Sequence, residues 1–245
     1  MQATIDLALV DRDPDGVVIP GVVWGRPEWV PSAAFWAALA ATADEAEEGF
    51  EEVGASLAEV VGFCILGGYG VTYEVNQAAH DHLLDQGVYE WAAGDTDFDA
   101  VARVEELLRL PLTVHGRRVH YRFPRQRARR LVEALRALQA EPPPTRDCRE
   151  FRDSLMAIKG IGPKTASWIA RNHLGAKSVA ILDVHVIRAG RIIGLFGEHE
   201  RLPRDYHRME LRFLEFAHAI GACPAILDAV MWRAMRNLRL GDHGR

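Results

Sequence analysis

The chain has 245 residues, 49% of them hydrophobic and 26% charged, which is ordinary for a soluble globular protein with one sizeable core or two small ones. Its cysteines, Cys64, Cys148 and Cys223, are odd in number and far apart, which excludes a disulfide framework and a closely spaced zinc or iron–sulfur site; no run of about 18 uncharged apolar residues exists to form a membrane span. The net charge of -5 hides an asymmetry: residues 1–102 carry 2 basic and 19 acidic side chains, residues 103–245 carry 27 and 15, so a polyanion is repelled by the first stretch and attracted to the second.

The opening segment MQATIDLALV has acid and no basic cluster, so neither a signal nor a transit peptide is expected, and a reducing, cytoplasmic setting fits. Residues 1–30, rich in Val, Gly, Pro and Trp, predict short extended segments and turns. From Pro31 the apolar spacing becomes helical, with an acidic outer face. Further helices are predicted over 56–68, 71–85 and 97–109. Gly67-Gly68-Tyr69-Gly70 separates the first two; it lacks the preceding strand that a phosphate loop requires.

Residues 111–124 predict a loop or short hairpin, followed by a basic helix over 125–140. Pro142–Pro144 cannot continue that helix, because the amide donors are missing and the rings clash with the preceding turn. Helices follow over 147–158 and 163–173, then one that begins after Asp183, then 203–219 and 224–238.

The most informative stretch is Leu155–Trp168, LMAIKGIGPKTASW. Gly160-Ile161-Gly162 permits a turn too tight for side chains, and Pro163 suits the first position of the next helix. The exposed amides of the turn and of the helix start then converge on one spot, suited to a phosphate. Asp183 reads as an N-cap that accepts the amides of residues 185 and 186. The basic run that includes Arg125, Arg127 and Arg129 reads as a phosphate-contacting face.

The segments LMAIKGIGPKTASWIARN and AILDVHVIR resemble the helix-hairpin-helix DNA glycosylases that carry a Gly/Pro-rich loop and an aspartate. RFPRQRARRLVEALR and ILDAVMW resemble the compact, archaeal-type branch of the 8-oxoguanine DNA glycosylases. The resemblance implies a mainly α fold of two helical lobes with a DNA-binding cleft between them. It makes residues 56–240 the glycosylase core, with a lobe boundary near 141–146, and leaves 1–55 as an N-terminal extension. It implies Lys164 and Asp183 as the catalytic pair and Gly160, Gly162, His185 and Arg188 as DNA contacts. Trp232 and Asp228, four apart on one helix face, become the base pocket. No catalytic metal or cofactor is implied, only a structural monovalent or calcium ion on the carbonyls of Met156, Ile158 and Ile161. The partner is double-stranded DNA containing a damaged base, acted on by a monomer in a nucleoid-associated setting. The chain departs from the compact branch in its first 50 or so residues. It departs again at Cys64–Gly70, where many members of the superfamily carry a Gln that fills the gap left by the flipped base.

The chemistry accounts for the pair. Breaking a base–sugar bond develops positive charge on the sugar, which a nearby carboxylate stabilises. A lysine amine can attack the sugar carbon and leave a Schiff base that permits strand cleavage. With an ordinary pKa of about 10.4, a lysine is free amine roughly once in 2,500 at pH 7; burial or a helix N-terminus disfavours the ammonium, and the position after Gly162-Pro163 supplies the second. On the residues alone, other readings stay open. Lys164 can be a phosphate contact, Asp183 a plain cap, His185 a structural histidine and Trp232 a core residue. The function can be a glycosylase for an oxidised pyrimidine, or a non-catalytic helix-hairpin-helix DNA-binding protein.

Overall fold

The computed structural model describes residues 12–43, 55–94 and 99–237. The turn-rich opening forms an antiparallel pair, β1 (Val17–Ile19) and β2 (Val22–Val23). Helix α1 (Ala33–Thr42) starts at Ser32, whose hydroxyl accepts the Phe35 amide at 3.0 Å and donates to the Arg26 carbonyl at 2.6 Å. The expected continuation of this helix past residue 43 lies outside the described residues. α2 (Leu57–Leu66) opens on a reciprocal capping box between Ser56 and Glu59. α3 (Tyr73–Asp85) follows, then a short α4 (Val88–Trp91) that no sequence signal announced, then α5 (Asp99–Arg109). The 111–124 stretch does contain a hairpin, β3 (Leu112–Val114) paired with β4 (Arg117–Val119).

α6 (Pro124–Ala140) begins with proline at its first position, where the missing N–H needs no partner. α7 (Cys148–Leu155) is capped by Asp147, which accepts the amides of Arg149 and Glu150 at 2.8 and 2.9 Å. It stops three residues before the predicted end, because Met156, Ala157 and Ile158 bond to carbonyls three residues back instead of four. α8 (Pro163–Leu174), α9 (Val184–Ile192), α10 (Tyr206–Ala219) and α11 (Pro224–Asn237) complete the order. Among the described residues no single helix is long and apolar enough to cross a membrane.

The chain divides into a central unit, Glu52–Leu174, and a terminal unit made of Met1–Glu51 with Gly175–Arg245. In the central unit α2 packs against α3, α6 and α8, while α5 lies on α6 and α7 on α8. The proline run at 142–144 therefore ends a helix without ending a unit: α6 before it and α8 after it share α2 as a neighbour. The boundaries that the structure draws fall instead near residues 51 and 174. Under the hairpin, the buried Arg152 of α7 donates to Ser167 Oγ of α8 at 3.2 Å and to Asp153 at 2.5 Å. This charged pin, satisfied on both sides, fixes the two hairpin helices to each other.

In the terminal unit, Ile19, Val22, Trp24 and Trp36 enter one core with Leu182, Val186, Phe213, Phe216 and Met231. Residues 19–37, set apart in sequence as part of an extension, thus supply part of the apolar surface on which α9, α10 and α11 close. Burying a Trp or Phe fully contributes about 2–3 kcal/mol, so this core depends on both ends of the chain.

Candidate functional site

In the central unit the hairpin turn joins α7 to α8. Gly160 has φ +102, a region that side chains rarely enter. A Cβ added there would stand only in ordinary contact with Arg130 and Ile65, so the backbone conformation, and not crowding, is what requires glycine. The turn closes by the Ile161 amide donating to the Ile158 carbonyl at 3.0 Å. α8 then starts, with the Ala166 amide bonded to the Gly162 carbonyl at 2.9 Å. The amides of Lys164 and Thr165 precede this first helical bond and have no carbonyl within the helix.

Lys164 occupies the second position of α8 and is exposed. The buried stripe of this helix is Ala166, Ser167, Ile169 and Ala170, and Lys164 lies off it. Lys164 therefore stands in solvent in the first turn of α8 and not in the buried setting that was one of the two expectations. Four residues on, Trp168 shares the lysine's face and stacks on Phe63 of α2 at 6.0 Å between ring centroids.

The basic face beside the hairpin is sharper than the run of arginines suggested. Arg125, Arg129, Arg130 and Lys159, with Gln126 and Glu133, line one open depression. Arg129 also pairs with Glu133 at 2.7 Å on the exposed surface, a contact of small energy that a phosphate can replace. Arg127 does not join them. Residues two apart on a helix point to different sides, and its guanidinium lies against the Gly68 turn, where a Cβ would stand 3.1 Å from Nη2. Burial there pulls its pKa below the usual guanidinium value, and the like charge of Arg130 adds to the effect.

In the terminal unit Asp183 caps α9 as its position predicted: one carboxylate oxygen accepts the amides of His185 and Val186 at 2.8 and 2.9 Å. The side chain is 9% exposed. The two amide bonds fix the orientation of the carboxylate at the N-terminus of α9. His185 is half-buried and Arg188, one turn on, is exposed.

The backbone just before Asp183 is held by three buried side chains from later helices. The Ala180 amide donates to Glu210 at 3.0 Å, the Ile181 amide to Asp228 at 2.7 Å, and the Leu182 amide to the Tyr206 hydroxyl at 3.3 Å. That hydroxyl donates in turn to the Ala180 carbonyl at 2.6 Å. Asp228, expected in a base pocket, is 2% exposed and commits an oxygen to this clamp; its partner in that expectation, Trp232, is 41% exposed under the Arg236 guanidinium. The structure therefore gives the two residues different surroundings. Phe213 and Phe216 are core.

Tyr206 and Glu210 escaped the sequence reading. A signal was present, since Glu210 interrupts the apolar stripe of Tyr206, Met209 and Phe213, and an acid on a buried stripe needs a polar partner.

Among the described residues no group of three His, Cys, Asp or Glu side chains is placed to hold a metal. The hairpin offers neutral carbonyl oxygens, and that of Ile158 keeps one lone pair after accepting Ile161. Such donors suit a monovalent ion or calcium rather than a softer metal.

A family model described as 8-oxoguanine DNA glycosylase matches residues 105–222. The 8-oxoguanine DNA glycosylase/AP lyase of Metallosphaera sedula is 32% identical over 120 residues, which is 46% of this chain and 57% of that protein; the match thus spans little more than half of the relative's length. The solved 8-oxoguanine DNA glycosylase of Thermotoga maritima superposes with a TM-score of 0.55 at 27% identity, over 74% of this chain and 80% of that one. The enzyme of that name from Methanocaldococcus jannaschii gives 0.53 at 24% identity, over 74% and 78%, a likeness of fold. Residues 105–222, the segment that carries the hairpin, Lys164 and the Asp183 cap, are thus similar to the 8-oxoguanine DNA glycosylases.

Proposed function

We propose that the protein is a bifunctional DNA glycosylase/AP lyase that removes 8-oxoguanine from duplex DNA. The observation that carries this is Lys164, an exposed amine in the open first turn after Gly160–Gly162, on the same unit as a depression lined by four cationic side chains. The hairpin amides and Arg125, Arg129, Arg130 and Lys159 would grip phosphates. The Lys164 amine would attack the sugar carbon, expel the base and leave a Schiff base from which the strand is cut. Asp183, oriented by its cap, would stabilise the positive charge that develops on the sugar. Asp228, Glu210 and Tyr206 would act as positioning residues that keep the Asp183 approach rigid. His185 and Arg188 would meet the backbone near the scissile nucleotide, and Trp232 would contact the extruded base. The hairpin carbonyls of Met156, Ile158 and Ile161 would hold a monovalent ion or calcium, in a structural role. The protein would act as a monomer on nucleoid DNA.

The test is a panel of duplexes, each carrying one lesion, incubated with borohydride. Base release and a covalent protein–DNA adduct are expected with 8-oxoguanine and not with undamaged duplex. Processing of an oxidised pyrimidine in its place would move the substrate, and binding without any base release would leave a DNA-binding protein.

The electrostatic part has its own measurement. DNA affinity should fall steeply with salt. Replacing Arg125 and Arg129 by Gln should make the log–log salt slope shallower by about 0.9 per lost phosphate contact. An unchanged slope would reduce the depression to a solvated face.

A further inference from the structure

The ribbon formed by β3 and β4, in the central unit, carries charge that no step above uses. Between Glu106 and Glu133 the chain has eight arginines and no acid, and the ribbon lies within that stretch. Its two turn residues, His115 and Gly116, have φ +48 and +72, the positive pair that a type I′ hairpin needs. A Cβ on Gly116 would meet nothing within 4 Å, so the tip projects into open space.

The alternation of a strand sorts the side chains. Leu112, Val114, Val119 and Tyr121 share one face; Leu112 and Tyr121 are buried, Val114 and Val119 half-buried, and β3 packs on α3. Thr113, Arg118 and His120 make the other face, and all three are exposed. Arg117 is exposed at the tip. A cross-strand acid is the ordinary partner for an arginine on a sheet, yet Arg118 stands opposite Thr113 and Arg117 opposite Val114. Among the described residues neither arginine has an acidic partner in an ion pair. The Glu74 carboxyl at the start of α3 is held below its usual range by its own amide and the Thr72 hydroxyl, with a small further pull from His115, so the turn histidine already faces an acid.

The ribbon leads directly into α6. Arg118 and Arg125 are seven residues apart in the chain, at most about 25 Å, which is less than one helical turn of duplex, about 34 Å. One duplex seated on the α6 depression is therefore within reach of the ribbon. Exposed cations without acids suit a polyanion. We propose that the outer face of the β3–β4 ribbon is a second DNA contact, in which Arg117 and Arg118 hold backbone phosphates of the duplex flanking the lesion. This rests on the glycosylase reading above. The contact is to phosphates, so it lengthens the grip without reading a base.

The experiment measures binding of the full chain to a duplex of about 25 base pairs, some two and a half turns, either undamaged or with a stable abasic analogue at its centre. The double variant Arg117→Gln, Arg118→Gln should make the log–log salt slope shallower by about 1.8 and weaken binding at 0.1 M salt by roughly 60-fold, or by roughly 8-fold if only one arginine meets a phosphate. The same factor should appear on both duplexes, because a phosphate is alike whatever the base. A hydroxyl-radical footprint should shorten on one flank only. The double variant Arg117→Lys, Arg118→Lys should bind within roughly threefold of wild type, since lysine also neutralises a phosphate. Unchanged affinity, slope and footprint in the glutamine variant overturn the assignment and leave two arginines that guard a short sheet edge or meet an acidic protein. A loss that lysine does not rescue, or one confined to the abasic duplex, overturns it as well, because the charge, or the flanking backbone, would not be what acts. Wild-type protein that releases no base from any lesion duplex, while the glutamine variant still loses affinity as described, ends the glycosylase reading and leaves the DNA contact standing.

Discussion

Lys164→Gln should yield no borohydride-trapped adduct and no strand cleavage on 8-oxoguanine duplex, while lesion binding stays within roughly threefold of wild type. Glutamine keeps the length and polarity of the side chain but has no amine to form a Schiff base. Binding survives because the variant removes one charge from a surface that retains the hairpin amides, Arg125, Arg129, Arg130 and Lys159. The chain makes this test unusually clean, since it contains three lysines in all, Lys159, Lys164 and Lys177. Trapping that persists in the variant would therefore point to Lys159, in the basic depression, or to Lys177. Base release without trapping in the wild type would describe a monofunctional enzyme that uses water, with Lys164 left as a phosphate contact. The position off the buried stripe of α8 also predicts that the substitution leaves the thermal midpoint nearly unchanged, which separates loss of chemistry from loss of fold.

What was legible in the sequence is what local geometry dictates. The Gly160–Gly162 turn, proline at the start of α8 and the Asp183 cap each depend on a few adjacent residues, and the capping bonds fall on residues 185 and 186 as read. The pairing of residues 19–37 with residues 180–235 was not legible. Trp24 and Trp36 meet Phe213 and Phe216 across most of the chain, and contacts so distant leave no period in either segment. The charge asymmetry shows the same limit. The central unit, Glu52–Leu174, holds 16 basic and 16 acidic residues. Neither unit is a basic body, and what survives of the asymmetry is a face on α6 and the hairpin.

Side-chain direction was the other gap. Arg125, Arg127 and Arg129 look alike in a linear reading, but helical rotation sends the middle one to the Gly68 turn. Asp228 and Trp232 share a helical spacing, yet burial assigns one to the backbone clamp and leaves the other in water. Spacing predicts which residues can share a face, and the neighbouring elements decide whether that face is wet.

Asp183→Asn should slow base release by about 10²–10³, the scale for removing one group that stabilises transition-state charge. Asparagine caps a helix about as well as aspartate, so its side-chain oxygen can still accept the amides of His185 and Val186, and stability should fall by no more than a few tenths of a kcal/mol. Asp183→Ala removes cap and charge together and should cost about 1 kcal/mol of stability in addition to the rate. Comparing the two in a denaturant titration separates the structural role of the carboxylate from the chemical one. A second substrate separates the steps. On a duplex whose base is already missing there is no glycosidic bond to break, so Asp183→Asn should still form the Lys164 adduct there at a rate much closer to wild type. Equal activity of Asp183→Asn and wild type on 8-oxoguanine duplex would mean that Asp183 is a cap and nothing more. Equal impairment on both substrates would place its role in the lysine chemistry instead of in base loss, and the buried clamp of Tyr206, Glu210 and Asp228 would then serve that step.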